Sequence, residues 1–228
     1  MIRILYFSFQ LWRMSMSPNI FQNISSGGDY YPTHCHHPPH VAIVVPYRDR
    51  LENLEVFLHY MHPFLMRQNI HYKIYIITQG DKLEFNRAML LNVGFKEALV
   101  DQDWPCFVFH DVDHLPEDNR NLYDCLDLPK HMASAVDTGG YQLYYDGFFG
   151  GVFSILKTQF EQINGASNLF WGWGGEDDNI LKRIQDSQLN MVRISQEEGR
   201  YTTTKHGAPH KNTEYGNVQY NRWIVRYN

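Results

Sequence analysis

Cysteine is scarce in this chain, with only Cys35, Cys106 and Cys125 among 228 residues. That is too few for a disulfide-stapled scaffold, and none has Cys-x-x-Cys metal spacing; one bridge and one leftover thiol is what they allow. Long hydrophobic runs are missing as well. No stretch approaches the roughly 20 apolar residues that cross a bilayer, and the opening MIRILYFSFQLWRM is interrupted by Arg3, Ser8, Gln10 and Arg13, at most a poor signal-like segment. Nor is there an excess of positive charge: 20 Lys and Arg against 25 Asp and Glu leave a net charge of −5. Nucleic acid and anionic membrane surfaces are therefore not expected partners. The glycine signatures G-x-x-x-x-G-K-S/T and G-x-G-x-x-G are absent, as is G-x-S-x-G, which removes the main support for NTPase, dinucleotide-dependent dehydrogenase and serine-hydrolase chemistry. Asn23-Ile24-Ser25 is a formal glycosylation sequon and a weak hint of secretion.

What is present reads as one globular domain, 43% hydrophobic and 15% aromatic. Residues 1–39 lack periodicity, and Ser, Gly, Pro and the histidines of the 34–40 stretch mark them as an irregular lead-in. From His40 the pattern changes. VAIVVP (41–46) is an apolar, β-branched run expected of a strand buried on both faces. Leu54, Phe57, Leu58, Met61 and Leu65 then fall on one helical stripe, and YKIYIIT (72–78) gives a second strand. FNRAMLLNVGFKEAL (85–99) has helical spacing, and CFVFH (106–110) is a third strand. This alternation predicts an α/β domain over 40–228 with a mostly parallel central sheet flanked by helices, its ligands beyond the carboxyl ends of the strands.

Four clusters carry chemistry. Asp111-Val112-Asp113 follows the third strand, and on an extended backbone its carboxylates would point the same way, suited to a hard cation such as Mn²⁺ or Mg²⁺ that also binds substrate phosphates. WGWGGEDDNI (171–180) runs two indoles and three glycines into Glu176, Asp177 and Asp178. Three acids in a first helical turn suit the macrodipole; indoles among glycines suit a sugar ring approached closely by backbone. Arg48, Arg50 and Arg87 stand near strand or helix ends as bidentate donors for phosphate or uracil. Thr203, His206 and His210 offer a hydroxyl and imidazoles that could complete a metal shell begun by Asp113.

Together VAIVVPYRDR, FNRAMLLNVGF, CFVFHDVDHLP, FFGGV, INGASNLFWGWGGEDDN and the late GR-plus-KH resemble the β-1,4-galactosyltransferase family over about residues 27 to 222. The resemblance implies a GT-A fold. It also implies inverting transfer of galactose from UDP-galactose to the 4-hydroxyl of a terminal N-acetylglucosamine on a glycoprotein or glycolipid, with Mn²⁺ or alternatively Mg²⁺. Pro46, Tyr47, Arg48 and Arg50 match the family's nucleotide-binding P-F/Y-R-x-R; Phe85 and Arg87 match its FNRA contacts; Asp111 and Val112 belong to the same nucleotide site. Asp113 and His206 match metal ligands, and Thr203 aligns with the family's usual methionine ligand. Asp177 matches the general base, Glu176, Asp178 and Gly151 match sugar-site positions, Trp173 resembles the mobile-loop tryptophan, and Tyr145 resembles an acceptor-side aromatic.

Phe148 stands where vertebrate members resembling this chain have tyrosine, and its ring should exclude an N-acetyl group on the donor. Asn179 replaces the fourth acid of the family's run. Cys106 and Cys125 match a disulfide pair, leaving Cys35 unpaired. The family is anchored in the Golgi, so a Golgi-lumenal or secreted location is implied, and the chain reads as short at both ends, without the anchor and with a short carboxyl-terminal region. Alternatives of the same fold are N-acetylgalactosamine or glucose transfer, or transfer to xylose. Gly175 and the spacing of His206 and His210 argue against the xylose branch. An alternative of another class is a catalytically dead carbohydrate-binding member.

Overall fold

A computed structural model of the protein describes residues 2–5, 24–25 and 27–205. Its centre is β3 (His40–Tyr47), flanked in parallel by β4 (His71–Gln79) and β5 (Cys106–His110). These are the three apolar runs, and burial explains their composition. Val41, Ile43 and Val45 face one core with Leu54, Phe57, Met61 and Leu65 of α1 (Leu51–Met66). Ala42 and Val44 face the other core with Leu91, Phe95 and Ala98 of α2 (Arg87–Asp101). A period of two along β3 thus feeds both helical layers. Gly94 lets α2 lie directly on the sheet, since a Cβ there would sit 2.3 Å from Val44 Cγ1 and 2.9 Å from Ile77 Cγ1.

The wings of the sheet differ from the expected parallel pattern. On one side β1 (Ile2–Leu5) and β2 (Asp29–Tyr30) both pair antiparallel with the outer edge of β4, so the segment before His40 contributes strands and the buried Ile24. On the other side β9 (Val152–Leu156) runs antiparallel to β5 and to β7 (Lys130–His131), and β10 (Val192–Arg193) closes the edge parallel to β7. A second sheet joins β6 (His114–Pro116), β8 (Ala135–Val136) and β11 (Arg200–Thr203). The result is a mixed sheet whose parallel centre aims β3 and β5 at one edge, while β9 starts at that edge, Val152 opposite His110, and runs the other way. The short helix α3 (Lys157–Gln162) follows β9, and α4 (Glu176–Asp186) begins at the same edge as the candidate site. Cys106 and Cys125 form a disulfide, and Cys35 is free.

Candidate active site

Asn86 sets the first element of the site. Its side chain caps α2 by accepting from the Met89 amide at 2.9 Å, and its own amide donates to Asn168 O at 2.8 Å. The capped turn places Arg87, the first helical residue, against the end of β5. There Arg87 Nε donates to Asp111 Oδ1 at 2.6 Å and Nη1 to Asp177 Oδ1 at 2.7 Å, with Glu176 Oε1 3.9 Å away. One buried guanidinium thus joins the acids of two motifs 66 residues apart in sequence. Burial pulls the Arg87 pKa down, but the three carboxylates more than offset this and hold it above the ordinary value. Burial pushes Asp177 up to about 8, against the opposing charge of Arg87, and raises Glu176 in the same way. Arg87 Nη2 and Glu176 Oε2 are buried without a hydrogen-bond partner, one donor and one acceptor that a polar ligand would satisfy.

The Asp111-Val112-Asp113 segment is a turn, not the extended strand end expected from the sequence. His114 N donates to Asp111 O at 3.2 Å, and Val112 is buried between the acids. The turn still gathers its carboxylates: Asp111, Asp113 and His114 offer ligand atoms all within 4.8 Å of one another. Asp113 Oδ2 accepts from Arg50 Nη1 and Asp113 Oδ1 from His114 Nδ1, both at 2.9 Å. Burial depresses the His114 imidazole, but the bond to Asp113 and the charges of Asp111 and Asp113 raise it overall. His110 behind the turn is pushed down to about 3 by burial. As a neutral ring, it donates from Nδ1 to Asp111 O and accepts at Nε2 from Tyr123 Oη.

Thr203 lies opposite His114 in the β6–β11 ladder, and its hydroxyl donates to Asp137 Oδ1 at 2.7 Å. The next residue, Thr204, donates its amide to Asp113 O at 2.8 Å, bringing the end of β11 beside the turn. His206 and His210 lie outside the described residues, as does Asn23 of the sequon.

The remaining expected residues surround this centre. Pro46 and Tyr47 end β3, and Tyr47 Oη accepts from the Arg50 amide at 3.2 Å. Arg48 donates to Leu83 O at 2.6 Å and lies 5.2 Å from the Phe85 ring centroid, forming a cation–π pair. Gly151, at φ +82°, accepts from the Asp111 amide; a Cβ there would approach His114 Nε2 at 3.1 Å. Tyr145 Oη donates to Asp178 Oδ1 at 2.6 Å, and its ring meets Phe148 edge-on at 5.6 Å. Trp173 stands 75% exposed between Gly172 and Gly174, and Gly172, Gly174 and Gly175 all have positive φ. Asn179 is buried in α4, where its Oδ1 accepts from Arg183 Nε at 2.9 Å.

The sequence reading did not single out four residues that the fold brings here. His114 adjoins Asp-x-Asp directly, a signal available in HDVDH. Gly150 brings Asp177 against its backbone, and His131 donates from Nε2 to Gly150 O at 2.9 Å; neither has a local signature. Asn86 could have been found as a cap ahead of a helical pattern.

Comparison with known proteins gives the frame for this geometry. Residues 5–126 match the N-terminal region of glycosyl transferase group 7, and residues 130–207 match a family described as the N-terminal domain of galactosyltransferase. Among curated relatives, β-1,4-galactosyltransferase 4 of Cricetulus griseus is 46% identical over 79% of this chain and 53% of its own length. β-1,4-Galactosyltransferase 1 of Mus musculus is 47% identical over 83% of this chain and 47% of its own. The chain spans about half the length of these relatives. A solved mutant of Drosophila β-1,4-galactosyltransferase 7, in complex with manganese, UDP-Gal and xylobiose, superimposes with TM-score 0.67 at 32% identity. That match covers 78% of this chain and 79% of the other.

Proposed function

The chain belongs to the β-1,4-galactosyltransferase family of group 7 glycosyltransferases and has its GT-A fold, and on that premise we propose that it transfers galactose from UDP-galactose to the 4-hydroxyl of a terminal N-acetylglucosamine, with inversion. The observation that carries this reading is the single guanidinium of Arg87 between Asp111 and Asp177, which sets a cation-and-diphosphate site next to a buried carboxylate able to act as base. A cleft built this way brings donor and acceptor together around one charged centre.

Asp111, Asp113 and His114 fit a hard divalent cation, since they supply carboxylate oxygens and one imidazole within mutual reach. Thr203 and Thr204 border the same face. Bound there, Mn²⁺ or Mg²⁺ supplies positive charge opposite the departing diphosphate. Arg48 and Phe85 form a wall suited to the uracil ring, and Arg50 steadies Asp113.

In the transfer, the acceptor 4-oxygen bonds to the anomeric carbon as the bond from that carbon to the UDP oxygen breaks, and UDP leaves with the electron pair. Asp177 takes the hydroxyl proton. Arg87 already engages its Oδ1, so Oδ2 is the receiving atom. Glu176 and Arg87, each with an unpartnered polar atom, hold sugar hydroxyls. Trp173 on its glycine hinges folds over the donor and excludes water, which would otherwise compete as acceptor. The Cys106–Cys125 bridge suits an oxidising compartment, supporting a Golgi-lumenal or secreted setting. No helix among the described residues is long and apolar enough to cross a membrane.

UDP release from UDP-galactose tests this, measured with Mn²⁺, Mg²⁺ or EDTA and with N-acetylglucosamine, glucose or xylose as acceptor. Release is expected to require metal, to be stimulated most by N-acetylglucosamine, and to be lost in Asp113→Ala and Asp177→Asn. A folded protein that shows no acceptor stimulation, or that is indifferent to Asp177→Asn, overturns the proposal. Strongest stimulation by xylose moves the acceptor assignment to that sugar.

A further inference from the structure

The histidine-rich stretch 34–40 lies at the end of the sheet opposite the candidate site. His40 opens β3 and His71 opens β4, and the two face one another in the parallel register. Seven steps of about 3.3 Å along β3, roughly 23 Å, separate His40 from Tyr47 at the site edge. Neither imidazole takes part in the transfer.

His71 is the fixed member of the pair. It is 5% exposed, with Trp104 and Tyr31 at 4.9 and 5.1 Å between ring centroids. Its Nε2 lies 3.0 Å from Asp29 Oδ1 on β2. An ionised carboxylate only accepts, so in the neutral ring Nε2 carries the hydrogen and Nδ1 keeps its electron pair. That Nδ1 is 2.6 Å from His40 Nδ1. The ring centroids are 4.7 Å apart, so both nitrogens lie close to the line joining the rings, each aimed at the other. A carboxylate behind one imidazole nitrogen, with the other nitrogen presenting its electron pair, is the arrangement by which proteins orient metal-binding histidines. Lys73, opposite Asp29 in the β2–β4 register, is engaged by Asp101 at 2.6 Å, so its positive charge is compensated where a cation would sit.

We propose that His40 Nδ1 and His71 Nδ1 bind one transition-metal ion, Zn²⁺ by its preference for imidazole, with Asp29 orienting His71. In the unliganded pair a single shared hydrogen joins the two nitrogens; with His40 in its Nε2–H form, the ion takes the place of that hydrogen. Bonds of about 2.0–2.1 Å at a tetrahedral angle put the nitrogens about 3.3 Å apart, so the rings part by about 0.7 Å, a movement open to the partly exposed His40. Water and the loop carrying His34, Cys35, His36 and His37 face the remaining positions. The site joins β2, β3 and β4, and its nitrogen ligands separate its metal from the hard cation suited to Asp111 and Asp113. None of this depends on the transferase chemistry.

The test is calorimetric titration of Zn²⁺ into the full chain carrying Asp113→Ala, which weakens the other candidate metal centre, with thermal unfolding followed in parallel. One Zn²⁺ per chain is expected, with a rise in melting temperature as zinc is added. Adding His40→Ala is expected to weaken binding more than a hundredfold. Asp29→Asn, which reads the role of His71 without removing its buried ring, is expected to weaken it tenfold to a hundredfold. Mn²⁺ at the same concentration should not displace the zinc. Absence of zinc binding overturns the proposal, as does binding of unchanged strength in folded protein carrying either His40→Ala or Asp29→Asn.

Discussion

Gly150→Ala separates the placement of the base from the stability of the fold. Gly150 has no positive φ among the backbone exceptions, so alanine suits its backbone, but the added Cβ would lie 2.7 Å from Asp177 Oδ2 and 2.6 Å from Phe148 Cζ. Ordinary contacts begin at 3.4 Å, so one or both groups must retreat by roughly 0.7 to 0.8 Å, a distance approaching the misplacement of about 1 Å that costs about a hundredfold in rate. Arg87 pins the carboxylate from its other oxygen, and the Gly150 carbonyl is tied to the buried His131, so neither backbone nor side chain moves without losing a bond. We expect kcat/KM for acceptor-stimulated transfer to fall about a hundredfold, with a stability loss of about 1–3 kcal/mol from overpacking. Gly147→Ala is the control, since its Cβ meets nothing within 4 Å. The assay is initial-rate transfer at a temperature well below both melting points, with thermal unfolding followed in parallel. Activity within threefold of wild type in folded Gly150→Ala refutes the reasoning, because the carboxylate position would then not matter.

Further outcomes are expected elsewhere in the molecule. With Asp177 pushed up to about 8 and active only when ionised, kcat/KM should rise with pH between about 6 and 8, with a slope near one; a flat profile excludes Asp177 as the base. His62 is fully buried beside Tyr72 Oη, and burial lowers it to about 3. The unfolded chain then takes up this proton first as pH falls below about 6.5, and stability decreases by about 2 kcal/mol between pH 7 and pH 5 from this group. Urea titrations at the two pH values should show a smaller difference in His62→Gln, and an equal difference refutes the assignment. The Cys106–Cys125 bridge closes a loop of sequence separation 19, so Cys125→Ser should lower the stability of the oxidised protein by about 3 kcal/mol and leave that of the fully reduced protein nearly unchanged.

Much of this architecture was legible because its centre consists of long, strongly patterned segments. β3, β4 and β5 are continuous apolar runs, and α1 and α2 carry helical stripes. The wing beyond β5 was not legible: β7 and β10 have two residues each, and two residues carry no periodicity, while the five-residue run of β9 does not itself state an antiparallel direction. Their pairing comes from the path of the chain around the site. The acids of the site were found one motif at a time, from composition and position. What local sequence does not contain is the Arg87 bridge between Asp111 and Asp177, or the contact of Asp177 with Gly150, because these arise only when α2, β5, the end of the 137–151 connection and α4 converge. The extended Asp-x-Asp expected after β5 became a turn because Val112 is drawn into the core, and that turn is what brings His114 to the carboxylates.

The close seating of α2 has a mechanical consequence. Gly94 and Arg87 lie on the same helix, seven residues or about 10 Å apart along its axis. With Val44 and Ile77 pressing where a side chain would be, Gly94 acts as a fulcrum and the helix as a rigid lever whose far tip is the guanidinium between Asp111 and Asp177. Any bulk added at Gly94 lifts the helix from the sheet and tilts that tip out of register with both carboxylates. Core packing on one side of the sheet and charge alignment at its edge are therefore transmitted through a single stiff element, so interior substitutions along α2 act on the chemistry from a distance.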